Sequence, residues 1–179
     1  MKELQGLLGF MAQRVRDAAL RHWAFFWLRH DINAVVRIHP PLWVSTHFMP
    51  WLQITRLEPL DGEYRVVPFH IWERLLAAWR RFELPGEEKR YQGLHERAMP
   101  PRRYSPEFYD CDDFAIDFLA WCHRQFRINT VTLTFNHVHA FNIVLPEDTG
   151  PLGVEPQNGL WVKIETDGLY GMRDARSLF

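Results

Sequence analysis

A cysteine stands among three aspartates in YDCDDFAIDFLAWCHRQF, residues 109–126. Cys111 is a candidate nucleophile, but the neighbouring carboxylates of Asp110, Asp112 and Asp113 oppose formation of its thiolate. The segment has helical periodicity, which gives the acids another role. Asp110 is a favourable N-cap, and the other two acids complement the positive end of the helix dipole in the first turn. The sequence therefore predicts a helix that begins at the cysteine.

The apolar residues of this helix predict the direction of the thiol. They form one stripe that contains Cys111, Ala115, Phe118, Leu119 and Cys122. We therefore expect Cys111 to face the core, and Asp112 and Asp113 to point away from it. A helix N-terminus favours a thiolate, yet taken alone Cys111 fits a buried structural cysteine better than a nucleophile.

A candidate base and a candidate orienting acid follow later in the chain. NTVTLTF, in which threonines alternate with apolar residues, predicts a strand with one buried face; VHAFNIVL predicts a second strand, and VEPQNG lies on a third. If the last two strands are antiparallel neighbours, the imidazole of His139 meets the carboxylate of Glu155, and the helix can present Cys111 to that imidazole. A nucleophile, a base and an orienting acid in this arrangement are typical of thiol hydrolases and acyl transferases.

The motifs DCDDFA, HAFN and VEP, in this order, resemble the transglutaminase-like branch of the papain-like cysteine peptidase superfamily. The likeness is greatest to small phage and bacterial proteins that carry DCDDFA, HAFN and EPQ, and it covers about residues 104–165. The resemblance implies an α+β fold in which a nucleophile-bearing helix packs on an antiparallel sheet. It also implies a cysteine hydrolase or acyl transferase acting on amide or peptide bonds.

The resemblance assigns roles residue by residue. Cys111 matches the nucleophile, His139 the base and Glu155 the orienting acid of a Cys-His-acid triad. Five further residues are expected to support the site: Asp110, Asp112, Asp113, Asn142 and Gln157. No cofactor is implied, and the expected substrate is a peptide, a protein or another amide.

The first hundred residues match nothing in the resemblance. Helical spacing predicts a helix over residues 3–31 and another over 70–82, with a hairpin over 51–69 that turns at Asp61-Gly62. A polar, proline-containing loop is predicted over 86–107. We therefore divide the chain into an N-terminal helical and hairpin region, residues 1–100, and a catalytic-type core, residues 101–179. The first region is either part of the same domain or a docking extension.

Composition limits the partners and the compartment. The 21 Lys and Arg residues nearly balance the 22 Asp and Glu residues, so no nucleic-acid partner is expected. Cys111 and Cys122 lie about 16 Å apart along one helix, too far for a disulfide, so free thiols in a reducing compartment are expected. The sequence suggests no signal peptide and no membrane-spanning segment. We therefore expect a cytoplasmic protein, or a virion-associated one if it is encoded by a phage.

Two other classes of function fit parts of the sequence. A metal-binding protein could use His137 and His139, which are two residues apart, together with the acids around Cys111, although the close ligand pairs that zinc prefers are absent. A non-catalytic binding or structural module, such as a virion or assembly component, would keep the fold without the reaction. The aromatic segment HWAFFWL, residues 22–28, favours that module because it could dock a protein partner or a second copy.

Overall fold

The computed structural model describes residues 2–48, 57–58, 61–84 and 110–178. The predicted loop over 86–107, most of the predicted 51–69 hairpin before its turn, and the predicted boundary at residue 100 lie outside these ranges. The helices are α1 (Lys2–Val35), α2 (Pro41–Phe48), α3 (Phe69–Phe82) and α4 (Cys111–Phe126). The strands are β1 (Arg37–His39), β2 (Leu57–Glu58), β3 (Tyr64–Val66), β4 (Leu133–Phe135), β5 (Ala140–Val144), β6 (Leu152–Glu155), β7 (Leu160–Val162) and β8 (Arg176–Leu178).

The predicted α+β class is confirmed, with helices packed on a largely antiparallel sheet. Six strands form the main sheet in the order β2-β8-β4-β5-β6-β7, and only the edge pair β2–β8 is parallel. Strands β1 and β3 form a separate antiparallel pair. The central strand β5 lies between β4 and β6, so residues at its ends are enclosed by two neighbouring strands.

The helix α4 begins where the sequence predicts because its first turn is capped. The backbone N–H of Asp112 donates to the Asp110 carboxylate, and the backbone N–H of Asp110 donates to the Asp113 carboxylate, each at 3.3 Å. The backbone N–H of Asp113 also donates to the Asp110 side chain, so Asp110 and Asp113 form a reciprocal capping box. The helix ends at Phe126, and the next residue, Arg127, has a φ of 56°, the left-handed conformation common at helix C-termini.

Two apolar clusters cover the two faces of the main sheet. The helical core lies on one face and contains Phe25, Leu28, Ile32, Val67, Ile71, Trp72, Leu75, Leu76, Trp79, Phe118, Trp121, Cys122, Phe126, Ile128, Val131, Val144 and Val154. The outer cluster lies on the other and contains Val44, Tyr64, Val66, Phe141, Ile143, Leu145, Met172 and Ala175. Along β5 the side chains alternate between the two, because successive residues of a strand point to opposite faces. The central strand of the sheet is therefore buried on both sides.

The first helix is only partly packed. It extends to Val35, four residues beyond the predicted end, and Phe25, Leu28 and Ile32 are buried in the helical core. By contrast, the side chains of Trp23 and Trp27 are 59% and 51% exposed. No helix in the described ranges has both the length and the apolar character needed to span a bilayer.

Two of the predictions for strands are wrong. In the described part of the predicted hairpin, β2 and β3 belong to different sheets, because β2 pairs with β8 and β3 pairs with β1. The threonines of β4 and its approach are also not on an exposed face. Thr130, Thr132 and Thr134 are fully buried, and the hydroxyls of Thr132, Thr134 and Ser177 form a chain of hydrogen bonds that satisfies them.

Candidate functional site

His139 and Glu155 are brought together by the antiparallel pairing of β5 and β6. His139 immediately precedes β5, and Glu155 is the last residue of β6. Asn142 pairs with Val154 in the ladder, so the next pair along places Phe141 opposite Glu155. Residues of one strand two positions apart share a face. His139 and Glu155 therefore lie on the face of the sheet that Phe141 occupies, at the end where β5 begins.

The two side chains form a short, buried hydrogen bond. His139 Nε2 lies 2.6 Å from Glu155 Oε2, and the side chains are only 10% and 6% exposed. A carboxylate can only accept at this position, so the ring carries its proton on Nε2. Nδ1 then presents a lone pair in the neutral imidazole, and within the described ranges no hydrogen bond occupies it. The pair has the tautomer that a general base needs.

The Glu155 carboxylate is held by donors on both oxygens. Tyr170 donates its hydroxyl to Oε2 at 3.1 Å, and the backbone N–H of Gln157 donates to Oε1 at 3.2 Å. Burial, followed by the negative charge of Glu155 and the hydrogen bond to it, raises the pKa of Tyr170 to about 12. Tyr170 is therefore protonated, and able to donate, throughout the neutral range.

The backbone of His139 is fixed by Asn136. Its Oδ1 accepts from the backbone N–H groups of Val138 and His139, both at 2.9 Å. Its Nδ2 donates to the carbonyls of Leu169 and Gly171, both at 3.1 Å. The chain therefore turns between β4 and β5, and the Asn136 side chain ties this turn to the loop that carries Tyr170.

Cys111 lies toward the same end of β5 as His139. Asn142 Nδ2 donates to the carbonyl of Ala115, one turn after Cys111, at 2.9 Å. The chain that follows α4 returns at the opposite end of β5, where the Leu145 N–H donates to the Thr130 carbonyl. The helix therefore runs in the same direction as β5, and its N-terminus projects beyond Asn142 in the direction of His139.

The thiol and the His139–Glu155 pair approach β5 from different faces. Asn142 and Val144 face α4, whereas the His139 ring lies nearly parallel to that of Phe141, with centroids 6.2 Å apart. A contact between Cys111 and His139 would therefore form around the beginning of β5. Among the described residues no hydrogen bond joins Cys111 to His139. Cys111 itself is half-buried at the first position of α4.

The acidic side chains next to Cys111 interact with one another. The interaction of the Asp112 side chain with that of Asp110 is the main cause that raises the pKa of Asp110. Asp110, Cys111 and Asp112 each offer a ligand atom within 4.8 Å of the other two, and this is the one such metal-competent group among the described residues. Neither His137 nor His139 belongs to this group, so the structure does not bring together the histidines and the acids that the metal-binding alternative requires.

The remaining predicted supporting residues contribute in different ways. Asp113 caps the helix through its carboxylate. Gln157 acts through its backbone N–H, not its side chain. Asn142 is fully buried and donates to the carbonyls of Ala115 and Thr132, which fixes α4 on the sheet, while its Oδ1 has no hydrogen-bond partner within the described ranges. Asn142 is therefore a structural link between α4 and the strand that His139 precedes.

Cys122 contrasts with Cys111. It is fully buried in the helical core, and burial raises the pKa of its thiol well above the ordinary value. A neutral, enclosed thiol is a poor nucleophile. Cys111 is therefore the candidate for reaction, and Cys122 serves as an internal control.

The helix α3 holds the turn that follows Glu155. Trp79 Nε1 donates to the carbonyl of Pro156 at 2.8 Å. Gly159, at the other end of this turn, has a φ of 66°, and a Cβ there would lie 2.1 Å from Cγ of Arg80. Only glycine fits this approach without displacing Arg80. The β6–β7 turn is thus anchored to α3 beside Glu155.

Sequence reasoning missed Asn136 and Tyr170. Asn136 was visible only as a turn residue, and its pairing with residues 169–171 depends on contacts that are remote in sequence. Tyr170 lies in a tail without strand or helix periodicity, so nothing local marks it. An asparagine beside a candidate base was the one available signal, because its side chain commonly bonds the backbone in turns.

Comparison with known proteins leaves the family open. The sequence matches no protein-family model and no curated protein. One similar solved structure is titled "PSL1a-E64 complex"; it has a TM-score of 0.47 and 18% sequence identity, and the alignment covers 78% of this chain and 48% of that one. The chain thus spans about half the length of that structure. A likeness of this degree carries no argument about activity.

Proposed function

We propose that the protein is a cysteine hydrolase or acyl transferase that uses a Cys111–His139–Glu155 triad on an amide or peptide bond. The observation that carries the proposal is the buried 2.6 Å bond between His139 Nε2 and Glu155 Oε2. It leaves Nδ1 as the basic nitrogen, and α4 directs its N-terminal thiol toward the same end of β5. The sequence resemblance to transglutaminase-like peptidases supports the same assignment.

The reaction we propose proceeds in two halves. His139 Nδ1 takes the proton of the Cys111 thiol, and the thiolate attacks the carbonyl carbon of the amide. The C–N bond breaks, and the departing amine takes the proton from His139, leaving a thioester on Cys111. Water or an acceptor amine then gives a proton to Nδ1 and attacks the thioester. The C–S bond breaks, the thiolate takes the proton back from His139, and the acid or the new amide is released. Glu155 stabilises the imidazolium that forms in each half.

The setting of Cys111 suits this chemistry in one respect and opposes it in another. Backbone N–H groups at the start of α4 favour a thiolate and could stabilise a developing oxyanion. The carboxylates of Asp110 and Asp112 oppose the thiolate, and their mutual interaction, which raises the pKa of Asp110, lessens that opposition as pH falls. Because Cys111 must stay reduced to react, we place the protein in a reducing compartment such as the cytoplasm, or in a phage particle assembled there.

A separate observation favours a second candidate, a binding or assembly module. The side chains of Trp23, Phe26 and Trp27 are 59%, 50% and 51% exposed on α1. Aromatic side chains exposed to this extent are typical of contact surfaces. In such a module the His139–Glu155 pair would be structural, and Cys111 would be an unreactive thiol.

Covalent labelling distinguishes the two candidates. We expect a peptidyl vinyl sulfone, which presents an electrophile where an amide would lie, to add once to the folded protein, at Cys111. Cys111→Ala should abolish this labelling, and Cys122→Ala, the matched control, should leave it unchanged. Intact-mass and peptide-mapping mass spectrometry measure both.

Three outcomes of this experiment would contradict the enzyme. They are no labelling of the folded wild type, labelling that survives Cys111→Ala, and labelling at Cys122 alone. Circular dichroism of each variant verifies that the fold is retained, so that a loss of labelling reports on chemistry.

A further inference from the structure

We propose that Tyr170 is a positioning residue of the site, which holds the Glu155 carboxylate in the orientation that pairs with His139. The role of Tyr170 in the reaction rests on the proposed function. Its hold on the His139–Glu155 hydrogen bond is a property of the folded protein and can be observed without any reaction.

The first argument is the geometry at the carboxylate. The Tyr170 hydroxyl donates to Oε2, the oxygen that also accepts from His139 Nε2, and the Gln157 N–H donates to Oε1. Rotation of the carboxylate about its terminal bond would break contacts on both oxygens. Without the hydroxyl, only the Gln157 N–H would resist that rotation, apart from the bond to His139 itself.

The second argument is the position of the Tyr170 ring. It meets the His139 ring edge-on, with centroids 5.6 Å apart at 72°, and the Phe141 ring at 5.5 Å and 86°. The ring therefore restricts the imidazole while the hydroxyl restricts the carboxylate. Since its pKa is raised to about 12, the hydroxyl stays protonated and available as a donor at neutral pH.

The third argument is the anchoring of the loop that carries Tyr170. Asn136 donates to the carbonyls of Leu169 and Gly171, on either side of Tyr170, and the same side chain accepts from the His139 N–H. The Tyr170 carbonyl also accepts from the Glu165 N–H. A single asparagine thus fixes the base and the positioning tyrosine relative to each other.

The test compares Tyr170→Phe with Tyr64→Phe. Phenylalanine keeps the ring contacts of Tyr170 and removes only its hydroxyl. Tyr64 is the control because it is a fully buried tyrosine of the same outer cluster whose hydroxyl accepts from the Asp61 N–H. A thermal melt of each variant establishes that it is folded.

Two readouts are expected to change in Tyr170→Phe and not in Tyr64→Phe. The proton on His139 Nε2, followed by NMR, should exchange with solvent on the order of ten times faster, since its acceptor is less well held. The maximal rate of vinyl sulfone addition to Cys111 should fall by about tenfold, with the half-saturating probe concentration unchanged, because Tyr170 acts through Glu155 and not on the probe.

The two readouts separate this inference from the proposed function. Unchanged exchange of the Nε2 proton would overturn the role of Tyr170, whatever the labelling shows. Faster exchange with an unchanged labelling rate would overturn its role in the reaction. If Cys111 is not labelled even in the wild type, the proposed function fails, and the exchange measurement alone decides whether Tyr170 positions the pair.

Discussion

Glu155→Gln is expected to lower the rate of vinyl sulfone addition to Cys111 by up to about ten-thousandfold, the loss seen when the orienting acid of a Ser-His-Asp triad becomes an amide. The side chain keeps its shape, so the effect would come from charge and hydrogen bonding. His139, Tyr170 and the Gln157 N–H all donate to this carboxylate. An amide offers one accepting oxygen, so it must turn its NH₂ group toward at least one of these donors. It also provides no charge to stabilise the imidazolium.

Glu147→Gln is the matched control for this prediction. Glu147 lies 3.1 Å from Arg37 Nε and 3.8 Å from His39 Nε2, and within the described ranges no hydrogen bond or ion pair joins it to His139. The same chemical change there should leave the labelling rate within about twofold of the wild type, because surface ion pairs contribute little. A Glu155→Gln protein that is folded and labels within about threefold of the wild type would contradict the role of Glu155.

Trp79→Ala is expected to lower the free energy of unfolding by about 3–5 kcal/mol, the range for loss of a large aromatic side chain from a core. Trp79 is fully buried and packs edge-on against Phe118 and Trp121 of α4. It also supplies the N–H that binds the Pro156 carbonyl beside Glu155. Its removal would leave both a cavity and an unpaired carbonyl. Urea denaturation measures the loss as a lower midpoint with an unchanged slope.

Two further variants make the Trp79 prediction specific. Trp79→Phe keeps most of the ring and removes the N–H, so it should cost about 1–3 kcal/mol for the unpaired carbonyl together with the smaller ring. Trp23→Ala removes an exposed indole from α1 and should change the free energy of unfolding by less than about 0.5 kcal/mol. If Trp79→Ala proved no more destabilising than Trp23→Ala, this would contradict the claim that Trp79 of α3 is central to the helical core.

Local signals were sufficient to predict α4 and its cap. An N-cap aspartate, acids in the first turn and an apolar stripe all act within a few residues, so residues 111–126 could be assigned as a helix from sequence. The meeting of His139 and Glu155 also followed from short-range information. A short loop between two alternating segments favours antiparallel neighbours, and the register then brings the two side chains within reach.

Contacts that are remote in sequence explain what the sequence did not predict. The hairpin over 51–69 was inferred from a strong turn pair, but the flanking strands find partners in β8 and β1. Thr132 and Thr134 looked like an exposed face, yet Ser177 supplies the hydrogen bond that allows their burial. Tyr170 reaches Glu155 from an irregular segment with no periodicity. None of these partners can be identified from the local pattern alone.

The central claim is that the His139–Glu155 pair activates Cys111, and the most direct test is the rate of Cys111 alkylation by iodoacetamide at pH 6. In the folded wild type we expect this rate to exceed that of His139→Ala by about a hundredfold, the lower range for a positioned general base. His137→Ala, which removes an exposed imidazole from the same turn, should react like the wild type. Equal rates in the wild type, His137→Ala and His139→Ala would contradict the claim and leave Cys111 as an ordinary thiol.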